Sequence, residues 1–348
     1  MQKRLIALAA LTLVSGIAAA QSTVTIYGNV DVGLLTQNNA PAGGSSTSIA
    51  NGGIAPSIWG LRGSEDLGNG LKANFNLEAH FAADTGAGTG TTAFRRQSNV
   101  ALSSASLGTL TLGNQYGPAV LAFAATDPRG LRENFSGLYS WAYNSGALTT
   151  GNNGNNDVGV FLQNAIAYNT TIGPVGVGAA YSFSENKGAL LSLGATYTGP
   201  VSVSASYQST EGTASSEKLS TMYSLGAGYT FGALTGKINM LHSVNKNTAL
   251  AETSSVDVIG LGVDWKMSAN NTVMAAIYSG KNKNNSADET TTLILSDEYA
   301  LSKRTTVYGT LAFANAKSGA TLLTTMVAGG TMADTNTNLF NIGIKHSF

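Results

Sequence analysis

The 348-residue sequence has no cysteine, three histidines and six prolines, and charged residues make up only 11% of it. Without thiols it can form no disulfide framework, structural zinc finger or iron–sulfur cluster. Its 19 Lys and Arg balance 19 Asp and Glu without clustering, so it lacks the basic surface that nucleic-acid binding needs. Beyond Gln21 there is no apolar run of about 18 residues, which excludes a helical membrane protein. Ordinary soluble domains carry roughly 25% charged residues. With 43% hydrophobic residues and so few charges the chain is not disordered, and much of its outer surface is expected to face something other than water.

What is present begins with an export signal over residues 1–20. Lys3 and Arg4 precede a mostly apolar stretch from Leu5 to Ile17, and Ala18-Ala19-Ala20 before Gln21 offers a small-residue cleavage site. An N-terminal anchor would need about 20 apolar residues, and Thr12, Ser15 and Gly16 interrupt this one. Removing Lys3 and Arg4 leaves 17 basic against 19 acidic residues, a formal charge of −2.

From residue 21 to 348 the dominant pattern is alternation with period two. In Leu71–Phe81, Leu71, Ala73, Phe75, Leu77, Ala79 and Phe81 share one face of a strand, while Lys72, Asn74, Asn76, Glu78 and His80 share the other. The pattern returns at TVTIYGNVDVGL (23–34), VSVSASYQ (201–208) and the C-terminal strand ending at Phe348. Strands are expected at 23–35, 55–67, 70–83, 93–104, 107–116, 158–170, 174–184, 188–199, 200–211, 218–231, 233–246, 254–268, 271–282, 290–302, 304–316 and 338–348. Short turns such as Asn69-Gly70 and Gly232-Ala233 alternate with long loops such as 36–54, 84–92, 247–253 and 317–337. This arrangement predicts an all-β fold, a 16-stranded antiparallel transmembrane β-barrel with lipid outside and water inside. A soluble sandwich or lipocalin-like barrel would instead have to bury the polar face, with its Lys, Glu, Asn and Gln, in a dry core.

The stretches TVTIYGNVDVGL (23–34), SIWGLRGSEDLGNGLKANFNLEAHF (57–81), FRRQSNVALSSASLGTLTLGNQYGP (94–118), LSKRTTVYGTLAF (301–313) and GIKHSF (343–348) resemble the trimeric general porins of Gram-negative β-proteobacteria, of the type found in Burkholderia, Bordetella, Comamonas and Neisseria. The resemblance covers the whole mature chain. It implies a homotrimer in the outer membrane, in contact with outer-membrane lipids and lipopolysaccharide, that passes small hydrophilic solutes and ions by passive diffusion. It also implies that the terminal Phe348 is the signal read by the outer-membrane assembly machinery. The long connection 117–157 matches in position the third loop that such porins fold into the lumen as a constriction. Its aromatic residues Phe123, Phe135, Tyr139, Trp141 and Tyr143 favour an inserted loop over a disordered one, although GNNGNND (151–157) on its own fits disorder.

The resemblance further implies a transverse field across the eyelet. Asp127, Arg129, Arg132 and Glu133 would lie on the loop, and Arg96 on the wall would face Asp127 and Glu133 across the pore. Arg95 would point outward or toward a neighbour. Arg62 and Lys72 face inward by alternation and are candidates for the same wall. Two arginines of the family pattern are absent, replaced by Ile58 and Phe161. Gly28, Gly60, Asn99 and Ala101 are expected outward, as a trimer contact.

For chemistry the chain offers little. His80 is expected in the lumen and His242 and His346 on the outer face, so no pair has metal-ligand or triad spacing. The EDLGNG stretch (65–70) is a polar turn, and there is no nucleotide-binding glycine motif. No enzyme activity, cofactor or metal is expected. The competing function is a substrate-specific outer-membrane channel. Against it, Tyr181, Phe183, Tyr207 and Phe231 fall on the outward face, where they form an interfacial girdle rather than an aromatic track inside.

Overall fold

Strands with one apolar and one polar face can satisfy all their backbone groups in a membrane only if the sheet closes on itself. The computed structural model describes residues 23–146, 153–213, 216–320 and 327–348, and shows that closure. The expected export signal lies outside the described residues. Among the described residues the strands are β1 (Thr23–Gln37), β2 (Ser46–Asn51), β3 (Ile58–Gly68), β4 (Leu71–His80), β5 (Gln97–Ser104), β6 (Gly108–Tyr116), β7 (Asn156–Asp157), β8 (Phe161–Ile172) and β9 (Val175–Ser182). They continue as β10 (Leu190–Tyr197), β11 (Val201–Glu211), β12 (Lys218–Phe231), β13 (Leu234–Lys246), β14 (Glu252–Lys266), β15 (Asn271–Asn282), β16 (Glu289–Ala300), β17 (Thr305–Ala316) and β18 (Thr335–Ser347). Two helices, α1 (Pro118–Thr126) and α2 (Gly137–Asn144), lie between β6 and β7.

Sixteen of these strands form the wall, each antiparallel to the next; β2 and β7 are short additions. The seam closes because β1 pairs with β3 through Thr23–Asn29 and with β18 through Asn29–Gln37. Phe348 completes it, exchanging backbone hydrogen bonds of 3.0 and 3.2 Å with Gly28. At the opposite extreme of regularity is the β3–β4 hairpin. Its two turn residues, Asn69 and Gly70, have φ of +52° and +77°, the paired left-handed conformation that matches the twist of a two-residue turn.

The alternation sorts the two faces as expected. Leu225, Met240, Ile259, Ile277, Leu293 and Phe313 stand exposed on the outer wall, while their chain neighbours Ser224, Asn239, Val258, Ala276, Ile294 and Ala312 are buried inside. Strand limits agree best where the pattern is cleanest, at 218–231 and 271–282. They depart where chain leaves the ladder. β3 begins at Ile58 and β5 at Gln97, and β2 occupies part of the expected loop 36–54.

That departure has a physical cause. Asn29 pairs with Ile58 and Val32 with Asn51, so residues 52–57 bulge opposite only Val30 and Asp31. The bulge wraps the Asp31 carboxylate, which accepts N–H bonds from Gly53 (3.1 Å), Ile54 (2.9 Å) and Ala55 (2.8 Å), and the Tyr308 hydroxyl at 2.6 Å. Ser57 adds a hydroxyl that accepts from the Asp31 N–H and donates to the Asp31 carbonyl, both at 3.0 Å. A fully buried carboxylate survives only when it is satisfied in this way.

Candidate functional site

The chain between β6 and β8 runs along the inner wall, held by small residues on the inward face of the strands. Pro118 opens α1 at a position where no backbone N–H is needed. The Ala119 N–H donates to Ser192 Oγ at 3.0 Å, Thr126 and Ser204 hydroxyls meet at 2.6 Å, and Asn239 donates to Thr126 Oγ1 at 2.8 Å. The backbone can come this close only because the wall offers glycine: a Cβ on Gly194 would overlap the Pro118 carbonyl, and one on Gly226 the Thr126 hydroxyl.

Beyond α1 the charged residues turn to the wall. Asp127 is fully buried and accepts from Leu131 N–H (2.8 Å), Gly137 N–H (3.1 Å) and the Tyr278 hydroxyl (3.0 Å). Burial raises its carboxyl pKa, against the pull of those hydrogen bonds. The Arg129 guanidinium, 1% exposed, donates to Ser296 Oγ, and burial lowers its pKa. Arg132 grips Glu298 with two hydrogen bonds of 2.8 and 3.0 Å. Asp127, Arg129 and Arg132 are therefore not the loop side of a field facing Arg96. They fasten the loop to β15 and β16, because a buried charge with a wall partner is far less costly than one left facing low-dielectric surroundings.

The returning chain is held by aromatics. Phe123 and Trp141 rings pack 5.0 Å apart, and Trp141 Nε1 donates to the Gly159 carbonyl at 2.7 Å. These two join Val160, Phe161, Met222, Leu241, Val256 and Val258 in one apolar cluster, while Phe135 enters a second with Ala276, Ile294, Ala312 and Leu339. Asn155, within the segment whose composition fits disorder, is buried and donates to the Phe183 and Gly188 carbonyls at 2.6 and 3.0 Å. At its far end the loop meets the seam, where Asn134 N–H donates to the Gly53 carbonyl at 3.2 Å.

One side of the lumen is left open. There a cavity of about 340 Å³ lies between the loop and the opposite wall, with His80, Arg95, Arg96, Tyr116 and Phe161 on one side and Val120, Leu121, Leu131, Glu133 and Leu138 on the other. Arg96 is ion-paired with Glu78 at 2.7 Å, donates to the Tyr116 hydroxyl, and lies over the Phe161 ring at 4.9 Å. Arg95, expected outward, instead turns inward and holds Asp157 with two hydrogen bonds of 2.7 and 2.8 Å. It precedes β5, so strand alternation never governed it. Glu133 makes no hydrogen bond or ion pair among the described residues; burial raises its carboxyl pKa, Arg96 opposes that and Asp31 adds to it.

The remaining candidates lie elsewhere. Arg62 does face inward, stacked over the Tyr27 ring at 4.9 Å, but away from the cavity. Lys72 pairs with Asp66 beside the Asn69-Gly70 turn, at the rim rather than at the loop. Gly60, Asn99 and Ala101 are inward, not outward. Gly60 has the parity of Arg62 and pairs with Glu78, while Asn99 and Ala101 pair with Asn76 and Asn74. Sequence reasoning missed Asp31, Glu78, Asp157, Tyr278 and Glu298 as partners. The available signal was inward parity within an expected strand, which Asp31, Glu78, Tyr278 and Glu298 share and Asp157 lacks.

Comparison with known proteins accords with this architecture. Residues 7–319 match the family model described as Gram-negative porin. Outer membrane porin protein 32 of Delftia acidovorans is 32% identical over 367 residues, covering 100% of both chains. An outer membrane porin protein of Bordetella pertussis is 36% identical over 148 residues, 37% of each chain. The structure of an anion-selective porin from Comamonas acidovorans superposes with a TM-score of 0.81 at 27% identity, covering 94% of this chain and 100% of that one. A closed antiparallel barrel of sixteen strands with a polar lumen, matched in sequence across its full length, is an outer-membrane channel, and the chain belongs to the Gram-negative porin family.

Proposed function

We propose that the protein is a general diffusion porin, acting as a homotrimer, whose eyelet is the opening between the loop and the β4–β8 wall. The cavity lined by His80, Arg95 and Arg96 on the wall and Glu133 on the loop carries this reading. A passive filter needs polar groups fixed at a narrowing without strong binding. Here both arginines are already paired, so neither is free to trap an anion. The Comamonas relative is described as anion-selective. In this chain two positive residues, Arg95 and Arg96, face three acidic ones, Glu78, Asp157 and Glu133, so a weak ion preference is expected. Residues 1–20 act as the export signal, lipids including lipopolysaccharide surround the barrel, and Phe348 is read by the assembly machinery.

Reversal potentials across planar bilayers under a salt gradient, with liposome swelling in sugars of rising size, test the reading. A smooth fall of permeation with solute size is expected. Saturation by one solute would favour a substrate-specific channel instead. Deleting Phe348 should lower the amount reaching the outer membrane without affecting export, and a monomeric mass in mild detergent with full channel activity would refute the trimer.

A further inference from the structure

The cavity beside the loop is not walled as a purely wet filter would be. Its loop side and the approach to β8 present Val120, Leu121, Leu131, Leu138, Val158 and Val160. Leu121 is 50% exposed there, although it stands inside a lumen rather than against lipid. Two of these residues hold left-handed backbone, Leu131 at φ +52° and Val158 at φ +48°. Glycine takes that conformation without steric cost, whereas a leucine or a β-branched valine is strained in it, and such strain gathers at sites that clamp a ligand. At about 340 Å³ the cavity also reaches the size of small-molecule pockets, which are mostly apolar and carry a few placed polar groups.

The polar groups here are of both signs and sit on opposite sides. Arg95 uses Nε and Nη2 for Asp157, and Arg96 uses Nε for Glu78 and Nη2 for Tyr116. Nη1 of each, with two N–H donors, has no partner among the described residues. Across the cavity Glu133 offers a carboxylate that makes no hydrogen bond or ion pair among the described residues. A simple anion would gain the Nη1 donors but little net attraction, because Glu78 and Asp157 already offset the guanidiniums. A simple cation would gain Glu133 and meet two guanidiniums. A solute that carries both charges satisfies both sides.

We propose that this cavity is a transient subsite for an α-amino acid with an apolar side chain. The guanidiniums take its carboxylate, Glu133 takes its ammonium, and Leu121 with its neighbours covers the side chain. A dicarboxylate or a sugar would leave polar groups unpaired against the apolar wall, which is costly. The proposal rests on the reading of this cavity as the eyelet, and adds a preference to passive diffusion rather than a requirement.

The test records single channels of the full-length protein in planar bilayers at neutral pH and measures the concentration at which each solute half-blocks the current. The probes are L-leucine, glycine, isocaproate, which is leucine without its amino group, and isoamylamine, which is leucine without its carboxyl group. Leucine is expected to block at about tenfold lower concentration than glycine, which lacks the apolar body, and about tenfold lower than either single-charge analogue. Glu133→Gln should bring leucine level with isocaproate, and Leu121→Ser should bring it toward glycine; an open channel in salt alone shows that each variant is folded. Equal block by leucine and glycine would overturn the proposal. So would equal block by leucine and isocaproate, which marks an anion site, by leucine and isoamylamine, which marks a cation site, or a leucine advantage that both variants keep. The reversal potential separates this proposal from the reading beneath it. If Glu133→Gln shifts that potential while leucine has no advantage, only the amino-acid subsite fails; if it shifts nothing, Glu133 does not line the eyelet and both fail.

Discussion

The two halves of the lumen wall obey different rules. From β10 to β18 much of the inward face is small or apolar, with Ser192, Gly194, Ser204, Val258, Ile294, Ala312 and Leu339, and the loop covers that part, while charges such as Glu298, Lys237 and Asp264 are each held in an ion pair. From β3 to β8 it carries Arg62, Glu78, His80 and Tyr116, joined by Arg95 and Arg96 ahead of β5, and it stays open to the channel. Covered wall needs shape, because packed interiors reward fit; open wall needs charge and hydrogen bonding, because water reaches it. The lumen is therefore a core on one side and a solvated filter on the other.

The sharpest way to break that contrast is to undock the covered half. Trp141→Ala removes a fully buried ring that touches Phe123 and bonds Gly159, a change that costs about 3–5 kcal/mol in a packed core. Single-channel conductance should rise and become noisy; a wild-type trace would mean that the loop does not set the opening. Next comes the open half. Arg96→Gln takes the ion-pair partner from buried Glu78 and leaves it the Tyr27 hydroxyl at 2.9 Å, at a cost of up to about 3–5 kcal/mol. The reversal potential should move toward cation preference, and a lowered melting midpoint should accompany it.

A smaller effect is expected from Glu133→Gln, which should move the reversal potential toward anions. Since burial raises the Glu133 pKa in the folded protein, its contribution to stability is present below the unfolded pKa and is lost as pH rises through the folded one. The variant should accordingly be at least as stable as wild type at neutral pH, and the selectivity of wild type should drift toward anions on mild acidification while that of the variant stays flat. A drift of equal size in both would remove Glu133 from the eyelet. Ile58→Arg, which places a cation next to His80 in the register, should give a similar but smaller anion shift. Smallest of all is Lys72→Gln at the rim, for which no measurable change in reversal potential is expected; a shift as large as that of Arg96→Gln would mean that the rim, not the loop, controls selectivity.

The barrel was legible because period two over many strands is a long signal with a single physical meaning. Strand limits moved where the ladder itself is interrupted, at residues 52–57 and before Gln97, and also at the end of β4 and the starts of β8 and β18. The site was less legible. Arg96 and Glu133 do line one opening, but Asp127 and Arg129 are similar residues in a similar loop and went to the wall, because partners such as Tyr278 and Ser296 lie about 150 or more positions away in the chain. Such pairings depend on the height at which each strand crosses the loop, which alternation does not encode. One trace of the covered half was visible: in β16 and β17 the inward positions Ile294, Ala312 and Ala314 are as apolar as the outward ones, which a water-filled lumen would not call for.

The pocket around Asp31 ties the constriction to the seam. It draws on β1, on the bulge before β3 and on Tyr308 of β17, groups up to 277 positions apart, and the same bulge receives the far end of the loop through Gly53 and Asn134. The tether of the loop at Gly53 thus sits on a pocket that β1, the bulge and β17 build together. An open seam would remove this tether while the loop's anchors on β10 to β16 remain, so a substitution that loosens the seam is expected to be felt at the eyelet through Gly53 and Asn134.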